Sequence, residues 1–137
     1  MKKRITFIAA CVILTLCACG GGDVPAGNTA GEYRRITAEQ ARKMMEETAE
    51  FILLDVRTEE EYAEIRIEDA ILIPDYEIAE RAAAELPDQN ALILIYCRSG
   101  RRSVDAAREL IDMGYTNVYD FGGIIDWPYD AISIIEG

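Results

Sequence analysis

One of the four cysteines, Cys97, lies where the sequence favours a reactive thiol. The six apolar residues before it, 91–96, form a run bounded by turn residues, which is typical of a strand buried on both faces of a sheet. Apolar residues at 104, 107, 110 and 111 then recur at helical spacing. Cys97 is therefore predicted to lie between the carboxyl end of a strand and the amino end of a helix, where open α/β sheets bind ligands.

The residues that follow Cys97 carry positive charge, because three of the next five are arginines. A helix amino terminus adds partial positive charge and free N–H groups, and such surroundings favour the thiolate form of a cysteine. The sequence thus favours a nucleophile over the alternative, a small inert cysteine in the core. Converging loop amides could also hold an anion. The candidate loop comprises Arg98, Ser99, Gly100, Arg101, Arg102 and Ser103.

The amino-terminal segment has the features of a bacterial lipoprotein signal. A basic start is followed by a nearly unbroken apolar stretch, 5–16, which is short for a membrane span. The stretch ends in Leu-Cys-Ala-Cys-Gly, which resembles a lipobox with Cys19 as the lipidated residue. We therefore expect a signal peptide at 1–19, a flexible glycine-rich tether at 20–31 and one domain at 32–137.

This interpretation places the domain outside the cytoplasm, attached to a bacterial membrane only through its lipid. The alternatives are an ordinary signal peptide or an uncleaved anchor, and Cys17 is a poorer lipidation candidate because Leu16 would precede the cut. The inner or outer membrane is left open. After processing, Cys97 would be the only free thiol, which excludes an internal disulfide.

Charge and composition exclude several functions. The net charge of −11, with 25 acidic residues, disfavours binding to nucleic acid or to anionic lipid head groups. The chain contains no histidine, which excludes a Cys-His pair, a Ser-His-Asp triad and histidine-based metal sites. We therefore expect neither a metal nor a cofactor. We also expect the protein to be a monomer.

The rest of the chain alternates between strand and helix patterns, which predicts an α/β fold with a central, mostly parallel five-stranded sheet and helices on both faces. Capping boxes at Thr37 and Thr58 predict two helix starts. In addition to the strand before Cys97, strands are predicted at 33–36, 51–54, 70–73 and 117–119. In addition to the helix after Cys97, helices are predicted at 38–47, 59–64 and 76–86. Gly114 is a suitable residue to end the helix after Cys97.

Four segments together resemble a single-domain rhodanese over residues 33–129. They are Asp-Val-Arg-Thr-Glu-Glu-Glu-Tyr at 55–62, Ala-Ile-Leu-Ile-Pro at 70–74, Tyr-Cys-Arg-Ser-Gly-Arg-Arg-Ser at 96–103 and Gly-Gly-Ile-Ile-Asp-Trp at 122–127. The resemblance implies the rhodanese-like fold and a sulfurtransferase without a cofactor. It would move a sulfane sulfur from a small anionic donor, such as thiosulfate or polysulfide, through a Cys97 persulfide. The acceptor would be cyanide or a thiol on a small molecule or a protein.

The resemblance also implies roles for individual side chains. Arg98 and Arg101 would face the anionic donor, and Arg102 would hold the loop. Asp55 and Arg57 would support the loop from the neighbouring strand end, and an ordinary strand-end ion pair explains them equally well.

One segment departs from the family pattern. Where the family commonly has Gly-His-Ile-x-Gly-Ala, this chain has Ile-Arg-Ile-Glu-Asp-Ala at 65–70. Loss of both glycines is expected to change the turn before the third strand and the wall beside the active site.

Two other functions compete with sulfur transfer. A phosphatase or arsenate reductase would need Cys-x5-Arg, whereas Arg102 gives Cys-x4-Arg and residue 103 is serine. A non-catalytic binding module, or a redox sensor that oxidises Cys97, would keep the same fold.

Overall fold

The computed structural model describes residues 32–133 of the 137-residue chain. The predicted signal peptide, lipidated Cys19 and tether lie outside the described residues. Within residues 32–133, no helix is both long and apolar enough to cross a bilayer.

Seven strands and four α-helices make up the described part of the chain. In order they are β1 (Arg34–Arg35), α1 (Ala38–Glu47), β2 (Ile52–Asp55), α2 (Glu59–Glu64), β3 (Ile65–Arg66), β4 (Ile71–Leu72), α3 (Ile78–Glu85), β5 (Ile93–Cys97), α4 (Arg101–Asp112), β6 (Val118–Gly123) and β7 (Ile132–Ser133). Short 3₁₀ turns at Asp75–Glu77 and Ile124–Asp126 precede α3 and follow β6.

The predicted five-stranded parallel sheet is confirmed. Its strand order is β1-β6-β5-β2-β4, and every neighbouring pair is parallel. The central strand β5 is buried along its whole length, which explains its continuous apolar sequence. Its side chains alternate between two core clusters, so that Ile95 and Cys97 pack on the side of α3 and α4, whereas Leu94 and Tyr96 pack on the side of α1.

Both predicted capping boxes are present. The Thr37 hydroxyl accepts a hydrogen bond from the backbone N–H of Gln40, and the side-chain oxygen of Gln40 accepts one from the backbone N–H of Thr37. Thr58 and Glu61 form the same reciprocal pair at the start of α2. The helix after Cys97 ends as expected, with Gly114 at φ 103°.

Several elements differ from the sequence prediction. Strand β6 runs on to Gly123, beyond the predicted end at residue 119, because it stays hydrogen-bonded beside β5 as far as the Cys97–Gly123 pair. The predicted helix 76–86 begins instead as a 3₁₀ turn after Pro74. A two-stranded antiparallel ribbon of β3 and β7 was not predicted, because two residues are too few to show a period.

The segment 65–70 forms a tight turn without the glycines of the family pattern. Asp69 has φ 64°, and the Ala70 amide donates to the Ile67 carbonyl at 3.2 Å. Aspartate is one of the few non-glycine residues that tolerate the left-handed region. Aspartate can thus take the left-handed backbone conformation at position 69, and glycine is not needed there. Residues 65 and 66 form β3.

Replacement of Asp69 tests this turn. Because an alanine Cβ is strained at positive φ and lacks the compensating polar group of aspartate, Asp69→Ala is expected to lower the free energy of unfolding by about 1 kcal/mol. Asp69→Gly is expected to match or exceed the parent. Urea unfolding measures both, with Glu68→Ala as the control for loss of an exposed neighbouring carboxylate. Equal stability of the alanine and glycine variants would contradict the prediction.

Candidate active site

Cys97 is the last residue of β5 and is 1% exposed. The Gly100 amide, three residues later, donates to its Sγ at 3.0 Å. This turn requires Gly100 at φ 92°, where glycine is favoured. Gly100 is also the N-cap of α4, and no side chain caps that helix. The positive end of the helix dipole is therefore directed at the sulfur.

A buried hydroxyl provides a second polar contact to the sulfur. The Ser103 Oγ lies 3.5 Å from the Cys97 Sγ and donates to the Gly122 carbonyl at 3.3 Å. The thiol can donate to this hydroxyl. For a thiolate, the same hydroxyl can turn and donate to the sulfur, because a hydroxyl rotates to suit its partners.

The end of β6 supports the loop from the side. The Ile125 amide donates to the Arg98 carbonyl at 3.2 Å. A Cβ at Gly123 would lie 2.2 Å from that carbonyl oxygen, so only glycine allows the two backbones to approach this closely. The Gly-Gly pair singled out in the sequence is thus part of the loop's support.

Asp120 organises this support and was not predicted from the sequence. Its fully buried carboxylate accepts from the Gly122 amide at 2.9 Å, from the Tyr33 hydroxyl at 2.6 Å and from Arg35 Nη1 at 2.8 Å. An aspartate inside the apolar stretch 118–121 is the one signal that could have indicated it, because a buried carboxylate needs partners. It connects the first strand to the residue that Ser103 contacts.

Arg102 is bound to α2 by a bidentate ion pair. Its Nη1 and Nη2 lie 2.8 Å from the Glu61 Oε2 and Oε1, respectively. The hydrogen bonds from Arg102 lower the pKa of Glu61 to about 2, against partial burial, and the Thr58 amide adds to the effect. The sequence predicted only the capping role of Glu61. Its ion pair with Arg102 was not predicted, because the two residues are 41 positions apart in the chain.

Asp55 and Arg57 form a buried ion pair at the end of β2. Arg57 Nη2 donates to Asp55 Oδ2 at 2.6 Å and to the Ile65 carbonyl at 2.5 Å. The strand-end ion pair expected from the sequence is therefore present, and it also anchors β3. Among the hydrogen bonds within residues 32–133, none joins either side chain to Cys97.

Arg98 and Arg101 differ from the other two arginines at this site. Both are exposed, as is Ser99, and neither guanidinium has an ion pair with another of the described residues. The loop thus presents two uncommitted positive charges to solvent beside a buried sulfur. In the same part of the chain, no group of carboxylates and thiols is arranged to bind a metal ion.

Comparison with known proteins identifies the family. Residues 37–128 match the rhodanese-like domain, and the chain belongs to this family. Over 73 residues it is 42% identical to the thiosulfate sulfurtransferase PspE of Escherichia coli, covering 53% of this chain and 70% of that one. A sulfurtransferase of Allochromatium vinosum is 36% identical over 101 residues, which cover 73% of this chain and 92% of that one. The chain is therefore a rhodanese-type sulfurtransferase.

Solved structures agree with this assignment. A rhodanese from Escherichia coli, solved with anions, has 38% identity and a TM-score of 0.56, covering 60% of this chain and 96% of its own. A rhodanese-like domain protein from Staphylococcus aureus has 29% identity and a TM-score of 0.62, with coverages of 71% and 93%.

The Glu61–Arg102 pair predicts a pH dependence. Because the pKa of Glu61 falls from 4.5 in the unfolded chain to about 2 in the fold, the pair contributes stability that is present above pH 4.5 and is lost as the pH falls to about 2. Glu61→Gln is expected to lower the free energy of unfolding by on the order of 1 kcal/mol at pH 6, and by progressively less towards pH 2.

Chemical unfolding from pH 6 to pH 2 measures this difference. Glu60→Gln, on the same helix and exposed, is the control for loss of a carboxylate. A Glu61→Gln deficit that stays constant over this range would show that the pair does not titrate as described.

Proposed function

We propose that this protein transfers a sulfane sulfur from a small anionic donor, through a persulfide on Cys97, to a thiol or cyanide. The observation that carries the proposal is the Gly100 amide 3.0 Å from the Cys97 Sγ, at the uncapped start of α4. The N–H donor and the positive end of the helix face the sulfur, and an outer persulfide sulfur would meet the same end of the helix.

In the first step, the Cys97 thiolate attacks the outer sulfur of the donor. With thiosulfate, the new S–S bond forms as the bond between the two donor sulfurs breaks, and sulfite leaves with that electron pair. The products are a Cys97 persulfide anion and sulfite, so charge is conserved. In the second step, cyanide or a thiolate attacks the outer sulfur and Cys97 leaves as the thiolate.

The arginines divide into two roles. Arg98 and Arg101 are exposed and uncommitted, which suits them to attract the donor and to stabilise the leaving anion. Arg102 instead fixes the loop to α2 through Glu61, and Arg57 fixes β3 through its ion pair with Asp55. Ser103 orients the sulfur through its hydroxyl.

The same geometry weakens the phosphatase or arsenate reductase alternative. Those enzymes need the arginine of a Cys-x5-Arg loop, which is position 103 here, to bind a tetrahedral oxyanion. Here Arg102 directs both terminal nitrogens at Glu61, and the buried residue at position 103 is a serine.

We also propose that the domain acts as a monomer outside the cytoplasm, attached to a bacterial membrane through lipid on Cys19. The basic start, the apolar stretch 5–16 and the lipobox-like sequence support the lipid anchor. A sulfur carrier in this place would depend on donors and thiols that reach the membrane surface.

Intact mass spectrometry tests the persulfide. After brief exposure to thiosulfate or polysulfide, the parent protein is expected to gain one sulfur atom, which peptide mapping places on Cys97 and which cyanide removes. The Cys97→Ser variant is expected to show no gain at that peptide. A folded parent whose thiol titrates but gains no sulfur from either donor would support the binding or redox-sensing alternative.

Lipid labelling tests the anchor. When the full chain is produced in a bacterium fed a labelled fatty acid, Cys19 is expected to carry the label and the protein to sediment with membranes. Cys19→Ser is expected to lose both properties, and Cys17→Ser to keep them. Label retained in the Cys19→Ser variant would overturn the assignment.

A further inference from the structure

An arginine of the first strand packs on the cysteine loop from outside it. The side chain of Arg35, on β1, is about half exposed, and its Nη1 donates to the buried carboxylate of Asp120 at 2.8 Å. Its other terminal nitrogen, Nη2, lies against two glycines. A Cβ added at Gly100 would be 3.0 Å from this nitrogen, and one added at Gly122 would be 2.7 Å from it. The guanidinium thus covers both glycines.

The two glycines carry the polar contacts of the Cys97 sulfur. The Gly100 amide donates to the Sγ at 3.0 Å. The Gly122 carbonyl accepts from the Ser103 hydroxyl at 3.3 Å, and that hydroxyl lies 3.5 Å from the same Sγ. Arg35 therefore packs on both main-chain positions on which the hydrogen bonds around the sulfur depend.

Neither glycine is well restrained by its own backbone. Their φ angles are 92° at Gly100 and 99° at Gly122, in the left-handed region where glycine is favoured. A glycine has no Cβ to limit the rotation of the chain. No side chain caps α4 at Gly100 either. A restraint on these two residues therefore has to come from a neighbouring group that packs on them.

A guanidinium suits this task better than an ammonium group does. It is planar and holds its nitrogens in a fixed fork, so one nitrogen can bond to Asp120 while the other packs on the glycines. Asp120 is fully buried and accepts from the Gly122 amide at 2.9 Å, which couples the carboxylate to one of these glycines. Asp120 thus fixes where Arg35 lies, and Arg35 in turn limits how far Gly100 and Gly122 can move.

We propose that Arg35 is a positioning residue for sulfur transfer, which keeps the Gly100 amide directed at the Cys97 sulfur by packing on Gly100 and Gly122. The inference rests on the proposed Cys97 chemistry. In that mechanism Arg98 and Arg101 attract the donor, whereas Arg35 acts on the main chain around the sulfur. Loss of Arg35 is therefore expected to slow the attack on the donor and to leave donor binding nearly unchanged.

Three variants of the full chain separate positioning from charge and from folding. Arg35→Gln removes the charge and the guanidinium. Arg35→Lys keeps a positive charge beside Asp120, but its single nitrogen cannot bond to Asp120 and cover both glycines at once. Arg34→Gln is the matched control, because Arg34 is the neighbouring residue of β1 and its Nη1 donates to the Tyr119 hydroxyl at 2.9 Å.

The first measurement is single-turnover formation of the persulfide over a range of thiosulfate concentrations. In Arg35→Gln and in Arg35→Lys, the limiting rate is expected to fall about tenfold, while the thiosulfate concentration that gives half of that rate changes by less than about twofold. Arg34→Gln is expected to match the parent in both quantities. Thermal unfolding shows which variants are folded. Arg35→Lys is expected to unfold close to the parent, because the buried Asp120 charge keeps a partner, and it carries the test alone if Arg35→Gln does not fold.

The second measurement follows the Gly100 amide itself and needs no sulfur transfer. Selective labelling of glycine with nitrogen-15 limits the spectrum to the ten glycines of the chain. In both Arg35 variants, the Gly100 N–H is expected to exchange with solvent about tenfold faster than in the parent. The Gly114 N–H, which donates to the Ile111 carbonyl at the other end of α4, is expected to keep its exchange rate.

The outcomes separate the positioning role from the chemistry. A limiting rate that Arg35→Lys restores would show that only the charge of Arg35 matters, and a higher half-saturating thiosulfate concentration at an unchanged limiting rate would show that Arg35 binds the donor. Either result, or a Gly100 amide that exchanges as in the parent, would overturn the positioning role. Faster Gly100 exchange in the variants, together with no sulfur transfer by the folded parent, would overturn the proposed function but confirm that Arg35 holds the loop.

Discussion

The close approach of two backbones at Gly123 and Arg98 is the constraint on which the site depends. A methyl group at Gly123 would meet the Arg98 carbonyl at 2.2 Å, so β6 must end in a residue without a side chain for the cysteine loop to lie beside it. That contact fixes the start of the loop, and the Gly100 amide then reaches the Cys97 sulfur at 3.0 Å. The geometry around the Cys97 sulfur thus follows from the neighbouring strand as much as from the loop itself.

The buried carboxylate of Asp120 links this constraint to the edge of the sheet. It accepts from Gly122, Tyr33 and Arg35, and Gly122 in turn accepts from Ser103 beside the sulfur. A fully buried carboxylate is tolerated only when its charge is paired and its oxygens accept hydrogen bonds, and this one meets both conditions. Strand β1 has only two residues to pair with β6, and these polar contacts to Asp120 add to the interactions that hold it beside the site.

Local sequence was sufficient to predict the parallel sheet, the two capping boxes and the strand–loop–helix unit around Cys97. Each of these depends on residues within a few positions of one another, where periodicity and capping rules apply. The Glu61–Arg102 pair and the contacts of Asp120 with Tyr33 and Arg35 could not be predicted in this way. Their partners lie 41 to 87 positions apart, and a single sequence does not show which distant charges meet. The roles of the predicted site residues stay predictions until the chemistry is measured.

The segment 65–70 shows how main-chain contacts can fix the position of a strand near the cysteine loop. Asp69 takes the left-handed conformation, and Arg57 holds the Ile65 carbonyl from the Asp55 ion pair. The position of β3 is therefore set by main-chain contacts that do not depend on which side chain residue 65 carries. The Ile65 side chain is consequently not part of these contacts, and it lies partly exposed in a pocket that Arg98 borders.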